Sequence, residues 1–184
     1  MSTHDDWVRF IAVPAVVFSA VSTVYATQYF SVEQAQQLMF GPGAQFQRRD
    51  LKLSKEVSRE IEKVSGVRVR LLDVPLWEVR ENDKLSGYFI VDEVYGKHEF
   101  ITYAVALEAD GRLRQIEILD YRETYGYQVR DPAWRAQFVG KTSADPLKFD
   151  VEIKNISGAT LSCRHLTEGI KRLLAIYDRV LRNS

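Results

Sequence analysis

The chain has 184 residues, with 25 basic and 25 acidic side chains and no net charge. That balance leaves no basic footprint for nucleic acid, and 46% hydrophobic residues with 11% aromatics are too many for a disordered chain. One cysteine, Cys163, and three histidines, His4, His98 and His165, exclude an intrachain disulfide, a cysteine-clustered zinc or iron–sulfur site and a CxxCH haem attachment.

Phe10–Ala26 (FIAVPAVVFSAVSTVYA) is an apolar run, and no charged residue lies between Arg9 and Glu33. Its length and lack of polar interruption read as the core of an export signal or as a short membrane anchor, rather than as a buried helix. Val24 and Ala26 occupy the small-residue positions before a signal-peptidase cut at Thr27, whereas Asp5, Asp6 and Pro14 fit a cleaved signal less well. The division expected is therefore 1–26 as signal or anchor, 27–83 as a helical and extended first part, and 84–184 as the core of the domain. The domain is expected to work outside the cytoplasm, in the periplasm or on the outer face of the cytoplasmic membrane.

Ser31–Phe40 is predicted to be a short helix, capped by Ser31 and stopped by Gly41-Pro42-Gly43. Ser54–Ser65 is predicted to be a second, with Val57, Ile61 and Val64 on one face and Gly66 ending it. Val67–Leu72 and Leu76–Val79 read as short strands around Pro75. Leu85–Val94, Glu99–Glu108 and Arg112–Tyr121 are rich in β-branched and aromatic residues and read as an antiparallel meander. Tyr95-Gly96-Lys97 and Asp110-Gly111 separate these strands, the second with the signal of a type I′ turn. Pro132–Phe138 is predicted to be a short helix with proline in its first turn, and Lys148–Lys154 a further strand. From Thr160 to Leu181 the period turns helical, with Leu166, Ile170, Leu173, Leu174, Tyr177 and Leu181 in one stripe. The class is α+β: one antiparallel sheet with packed helices and a long C-terminal helix.

The corner before that last helix, Ser157-Gly158-Ala159-Thr160, has two readings. A helix start presents unpaired N–H groups and the positive end of its dipole, which suits a phosphate. Gly158 permits a tight turn and close approach, and Ser157, Thr160 and Ser162 supply hydroxyls. The other reading is an ordinary N-cap, for which serine and threonine are favoured.

Three segments together resemble the FMN-binding-domain family, whose familiar members are the covalent-FMN subunits of the Rnf complex and of the sodium-pumping NADH:quinone reductase. The corner reads Ser157-Gly158-Ala159-Thr160-Leu161-Ser162, an element Glu123-Thr124-Tyr125-Gly126 precedes it after a strand, and Trp134 to Lys141 with Phe138 and Gly140 lies between. The resemblance covers about residues 85–180. It implies that FMN is joined through its phosphate to Thr160 as a phosphoester, made from FAD by a separate flavin transferase. It also implies that Glu123 and Thr124 approach the ring or the ribityl chain, while the helix start itself would hold the phosphate on the N–H groups of Leu161 and Ser162. Where the familiar members have proline, a second glycine and aspartate, this chain has Tyr125, Gln128 and Lys154. These departures fit a small stand-alone carrier, with Tyr125 or Tyr127 placed to stack on the flavin.

Cys163 is expected to be buried, the aromatics Trp77, Tyr88, Phe89, Tyr95, Phe100 and Tyr103 in core and sheet packing with one or two bordering the flavin, His165 on a helix face rather than on a metal, and Lys171, Arg172, Arg179 and Arg182 on a solvated face. No Ser/His/Asp set or activated nucleophile stands out, so the expectation is an electron carrier rather than an enzyme, working with a membrane-associated electron donor or acceptor. An FMN-binding sensor and a flavin-free adaptor on the same scaffold are the alternatives.

Overall fold

The computed structural model describes residues 27–183. The signal or anchor expected at residues 1–26 lies outside the described residues. None of the described helices is long and apolar enough to cross a membrane.

Strand β1 (Thr27–Gln28) leads into helix α1 (Val32–Phe40). The hydroxyl of Ser31 accepts the N–H of Gln34, while the side chain of Gln34 accepts the N–H of Ser31 at 2.8 Å, a reciprocal capping box. Strands β2 (Gln45–Arg48) and β3 (Leu51–Lys52) follow, then α2 (Lys55–Ser65). Ser54 caps α2 through the N–H of Val57 at 3.2 Å, and Gly66, at φ 69°, ends it in the left-handed region. The buried stripe of α2 is Ser58, Ile61 and Ser65, and Val64 is exposed. The core-facing side is therefore turned a little from the expected line of Val57, Ile61 and Val64.

The segment Val67–Leu72 is not a strand. Pairing is confined to β4 (Asp73–Val74) against β3, and Leu71 and Leu72 stand exposed. Beyond it lie β5 (Leu76–Glu81), β6 (Lys84–Tyr95), β7 (Phe100–Glu108) and β8 (Leu113–Tyr121). The expected meander is present and is the centre of a larger antiparallel sheet, in the order β1-β8-β7-β6-β5-β2. Strands from both sides of residue 84 thus share one sheet. The type I′ hairpin turn is Asn82-Asp83, with both residues at positive φ (49° and 62°) and Glu81 opposite Lys84. At Asp110-Gly111 only Gly111 has positive φ, and its N–H bonds the carbonyl of Glu108 at 2.9 Å. That loop is a three-residue turn with a bulge, not the type I′ turn expected there.

Both faces of the sheet are covered. Tyr103, Val105 and Leu107 of β7 join Ile90, Ile116 and Ile118 in the core under α2 and α4 (Thr160–Ile176). The alternate residues Ala104 and Ala106 join Phe89 and Leu119 against Ala35, Met39 and Phe40 of α1. Burial on both sides explains why β7 reads as a nearly continuous apolar run. The stripe on α4 is buried at all six expected positions, from Leu166 to Leu181, the last two in a π-helical turn (Tyr177–Leu181).

Between β8 and α4 lie α3 (Pro132–Arg135), capped by Asp131 with proline at its start, and a 3-10 turn (Ala136–Phe138). Lys148–Lys154 is a tight turn rather than the expected strand. Asp150 has φ 61°, and the N–H groups of Val151, Glu152 and Ile153 all turn back onto the carbonyl of Lys148. Its apolar alternation is real, but Ile153 is buried while Val151 is 74% exposed, so no sheet face is formed.

Arg172 is not on the solvated face either. It is buried, and its guanidinium pairs with Asp92 of β6, whose carboxylate also accepts the hydroxyl of the fully buried Tyr103. Burial, and next the charge of Asp92, hold the Tyr103 phenol protonated well above its ordinary range.

Candidate functional site

β8 ends at Tyr121, and the chain passes through Arg122 into Glu123-Thr124-Tyr125-Gly126. At Gly126, φ is 90° and a Cβ would lie 2.6 Å from Tyr121 Oη and 3.0 Å from Ser162 Oγ, so only glycine fits without displacement. This close approach seats the element on the first turn of α4. Tyr121 binds the two together: its hydroxyl donates to the carbonyl of Tyr125 at 2.6 Å and lies 3.0 Å from Ser162 Oγ, which then donates to it. Burial pushes the Tyr121 phenol up to about 12, against the opposing hydrogen bond from Ser162. Tyr121→Phe removes the hydroxyl and leaves the Tyr125 carbonyl and the buried Ser162 short of a partner. A loss of about 1–3 kcal/mol is expected in chemical denaturation.

The start of α4 is built differently from an ordinary capped helix. The N-cap is Ala159, at φ −121° and ψ 18°, and no side chain caps the first turn. Ser157 and Thr160 are exposed and neither acts as the cap, so the N-cap reading of the corner does not hold. Gly158 turns the chain at φ 84°, and a Cβ there would meet nothing within 4 Å, so the space above it is open. Thr160 Oγ1 accepts from Asn155 Nδ2 at 3.1 Å. Ser162 is buried and its hydroxyl is engaged by Tyr121, so it presents no hydroxyl to a ligand.

The two motif elements, well separated in the chain, form one open groove of about 470 Å³. Its walls are Glu123, Thr124 and Tyr125 on one side, Gly158, Ala159, Thr160, Leu161 and Ser162 on the other, and Lys97 and His98 from the β6–β7 loop. Among the expected binding residues, Ser157 and Gly126 are not on this lining: Ser157 sits beside the groove and Gly126 beneath it. Tyr125 is 80% exposed at the rim. Tyr127 belongs to a different cleft, of about 570 Å³, shared with Phe30, Leu38 and Arg135 and holding neither motif element, so of the two tyrosines Tyr125 is the one on the groove.

The carboxylate of Glu123 is turned toward the β6–β7 loop. Its Oε1 accepts backbone N–H groups from Lys97, His98 and Glu99, the last at 3.1 Å. Burial opposes its ionisation, but these three donors outweigh it and hold Glu123 below the usual carboxylate range. Sequence reasoning missed Lys97, His98, Tyr121 and Asn155. The loop residues carry no motif, and they reach the groove only because β6 and β7 stay paired up to Tyr95 and Phe100.

Cys163 is fully buried, and burial raises its thiol above the usual value, so it is a packing residue. His165 hydrogen-bonds the carbonyl of Tyr95. No group of three or more His, Cys, Asp or Glu able to hold a metal occurs among the described residues.

An FMN phosphate fits this donor set: an uncapped helix start, an exposed hydroxyl and an open space over a positive-φ glycine. The family described as "FMN-binding domain" matches residues 96–175. Among solved structures, a crystal structure of Shewanella oneidensis NqrC is similar at 20% identity and a TM-score of 0.46, over 66% of this chain. The chain spans 61% of that NqrC chain. None of the curated proteins matches. Residues 96–175, with both motif elements inside them, thus match the FMN-binding domain family.

Proposed function

We propose that this protein is an extracytoplasmic electron-transfer flavoprotein carrying FMN covalently on Thr160. The observation that carries the reading is the convergence, within the matched segment, of Glu123–Tyr125 and Gly158–Ser162 on one groove with the Thr160 hydroxyl exposed at an uncapped helix start. Bound FMN would supply electron acceptance and release. The chain's own residues hold and shape. Thr160 Oγ1 provides the attachment point, oriented by Asn155, and the first N–H groups of α4 receive the phosphate. Gly158 leaves room above the corner, and Thr124 and Tyr125 wall the rest of the groove. Maturation requires a flavin transferase, and the working partner is a membrane-associated electron donor or acceptor.

The test is coexpression with a flavin transferase, followed by intact-mass spectrometry and peptide mapping. The expected product gains the mass of FMN less water on the peptide containing Thr160, and its yellow colour survives acid precipitation. A colourless protein of unmodified mass would support the flavin-free adaptor. Rapid oxidation of the reduced protein by a membrane fraction is expected of a carrier and not of a sensor. Export is checked by fractionation of cells expressing the full chain.

Gly158→Val is expected to slow attachment at least tenfold although Thr160 remains. A β-branched residue at φ 84° carries strain of about 1–3 kcal/mol and fills the open space above the corner. Attachment at the wild-type rate, followed by mass over time, would show that the corner does not need this conformation.

A further inference from the structure

The groove has two ends. The Tyr121–Ser162 contact and Gly126 fix the end of the 123–126 element that lies against the start of α4. The other end, Glu123, lies under the β6–β7 loop. A flavin attached at Thr160 and lying in this groove would have its phosphate at the first end and its ring toward the second.

The loop at the second end is clamped. One carboxylate oxygen of Glu123 takes three consecutive backbone N–H groups, and the N–H of Gly96 closes the hairpin onto the carbonyl of Glu99 at 2.8 Å. A Cβ on Gly96 would lie 2.5 Å from Glu123 Oε1, so the loop settles on the carboxylate only because residue 96 has no side chain. One oxygen of the Glu123 carboxylate is thereby engaged by the dipoles of the loop. Lys97 lines the groove, and among the described residues its ammonium forms no ion pair. We infer that Lys97 is the cation that tunes the potential of the bound flavin, and that Glu123 is a positioning residue that holds Lys97 over the ring.

This inference rests on the attachment proposed at Thr160. Two electrons and one proton convert the oxidised ring to its anionic reduced form; the electrons come from the donor, the proton from water, and Lys97 gives up neither. A fixed positive charge stabilises the added negative charge and raises the midpoint potential. The sign separates the two roles open to Glu123. A carboxylate acting directly on the ring would lower the potential, so Glu123→Gln would raise it. A carboxylate acting through the loop holds Lys97 in place, so Glu123→Gln lowers it.

The experiment uses the full-length flavinylated protein as wild type, Lys97→Met, Glu123→Gln and the double variant, with Glu123→Ala as a second clamp variant. Intact mass is read first, then spectroelectrochemical midpoint at one pH and one salt concentration, then hydrogen exchange of the amides of residues 97–99. Lys97→Met and both Glu123 variants are expected to lower the midpoint, and the double variant to lie no lower than Lys97→Met alone. Amide exchange at 97–99 is expected to quicken at least tenfold in the Glu123 variants and to stay unchanged in Lys97→Met. A rise in midpoint on Glu123→Gln, or no change on Lys97→Met, overturns the inference while leaving attachment standing. A wild type without flavin mass overturns the Thr160 reading and this inference together.

Discussion

Thr160→Ala is expected to abolish covalent FMN while leaving the fold intact. Thr160 is the first residue of α4, exposed, and its hydroxyl is hydrogen-bonded to Asn155. Alanine is the best helix former and loses nothing buried there, so stability should change by no more than about 0.5 kcal/mol. The phosphoester needs an oxygen at this place, and alanine has none. The neighbouring hydroxyls are poor substitutes: Ser162 is buried and hydrogen-bonded to Tyr121, and Ser157 is outside the groove lining. Intact mass after coexpression with a flavin transferase should show a full adduct on the wild type and none on the variant. An adduct on the variant, mapped to another residue, would remove Thr160 from its proposed role.

The largest stability effect is expected from Arg172→Met. Arg172 and Asp92 are both buried and form an ion pair that joins α4 to β6, with the Tyr103 hydroxyl on the same carboxylate. Removing the guanidinium leaves the Asp92 charge buried with only a phenol beside it, which costs about 3–5 kcal/mol. For a domain of this size that lowers the melting temperature on the order of 10 °C. Arg172→Met with Asp92→Leu removes both charges and should recover part of the loss, because the penalty comes chiefly from the charge left alone, while the Tyr103 hydroxyl loses its acceptor. A single variant within about 1 kcal/mol of the wild type would show that water reaches Asp92 and that the pair is not a link between helix and sheet. The FMN adduct should be retained at permissive temperature, since neither residue lines the groove.

The sequence alone determined the elements whose signals are local. The Ser31 cap of α1, the Gly66 stop of α2, the three strands of the meander and the six-residue stripe of α4 all stand where spacing and turn chemistry put them. Each depends on residues within a turn or two, or on a period that one buried face imposes. The motif residues at 123–126 and 157–162 were picked out by the resemblance that they carry together, whereas the corner taken alone also read as an ordinary cap.

Tertiary structure decided what depends on partners far along the chain. The alternation in Val67–Leu72 and Lys148–Lys154 reads as strand in both, yet neither finds a long edge to pair with. Asp150 at positive φ folds the second segment back on Lys148. Arg172 sits in a basic run that reads as solvated, and only the approach of β6 places Asp92 against it. Glu123 reads as a ligand to the cofactor. The pairing of β6 with β7 also brings three loop N–H groups onto its carboxylate and sets Lys97 and His98 into the groove. A hydrogen-bonding group takes whichever partner the fold brings within about 3 Å, and that distance is fixed by strand register and helix packing rather than by any neighbour in sequence.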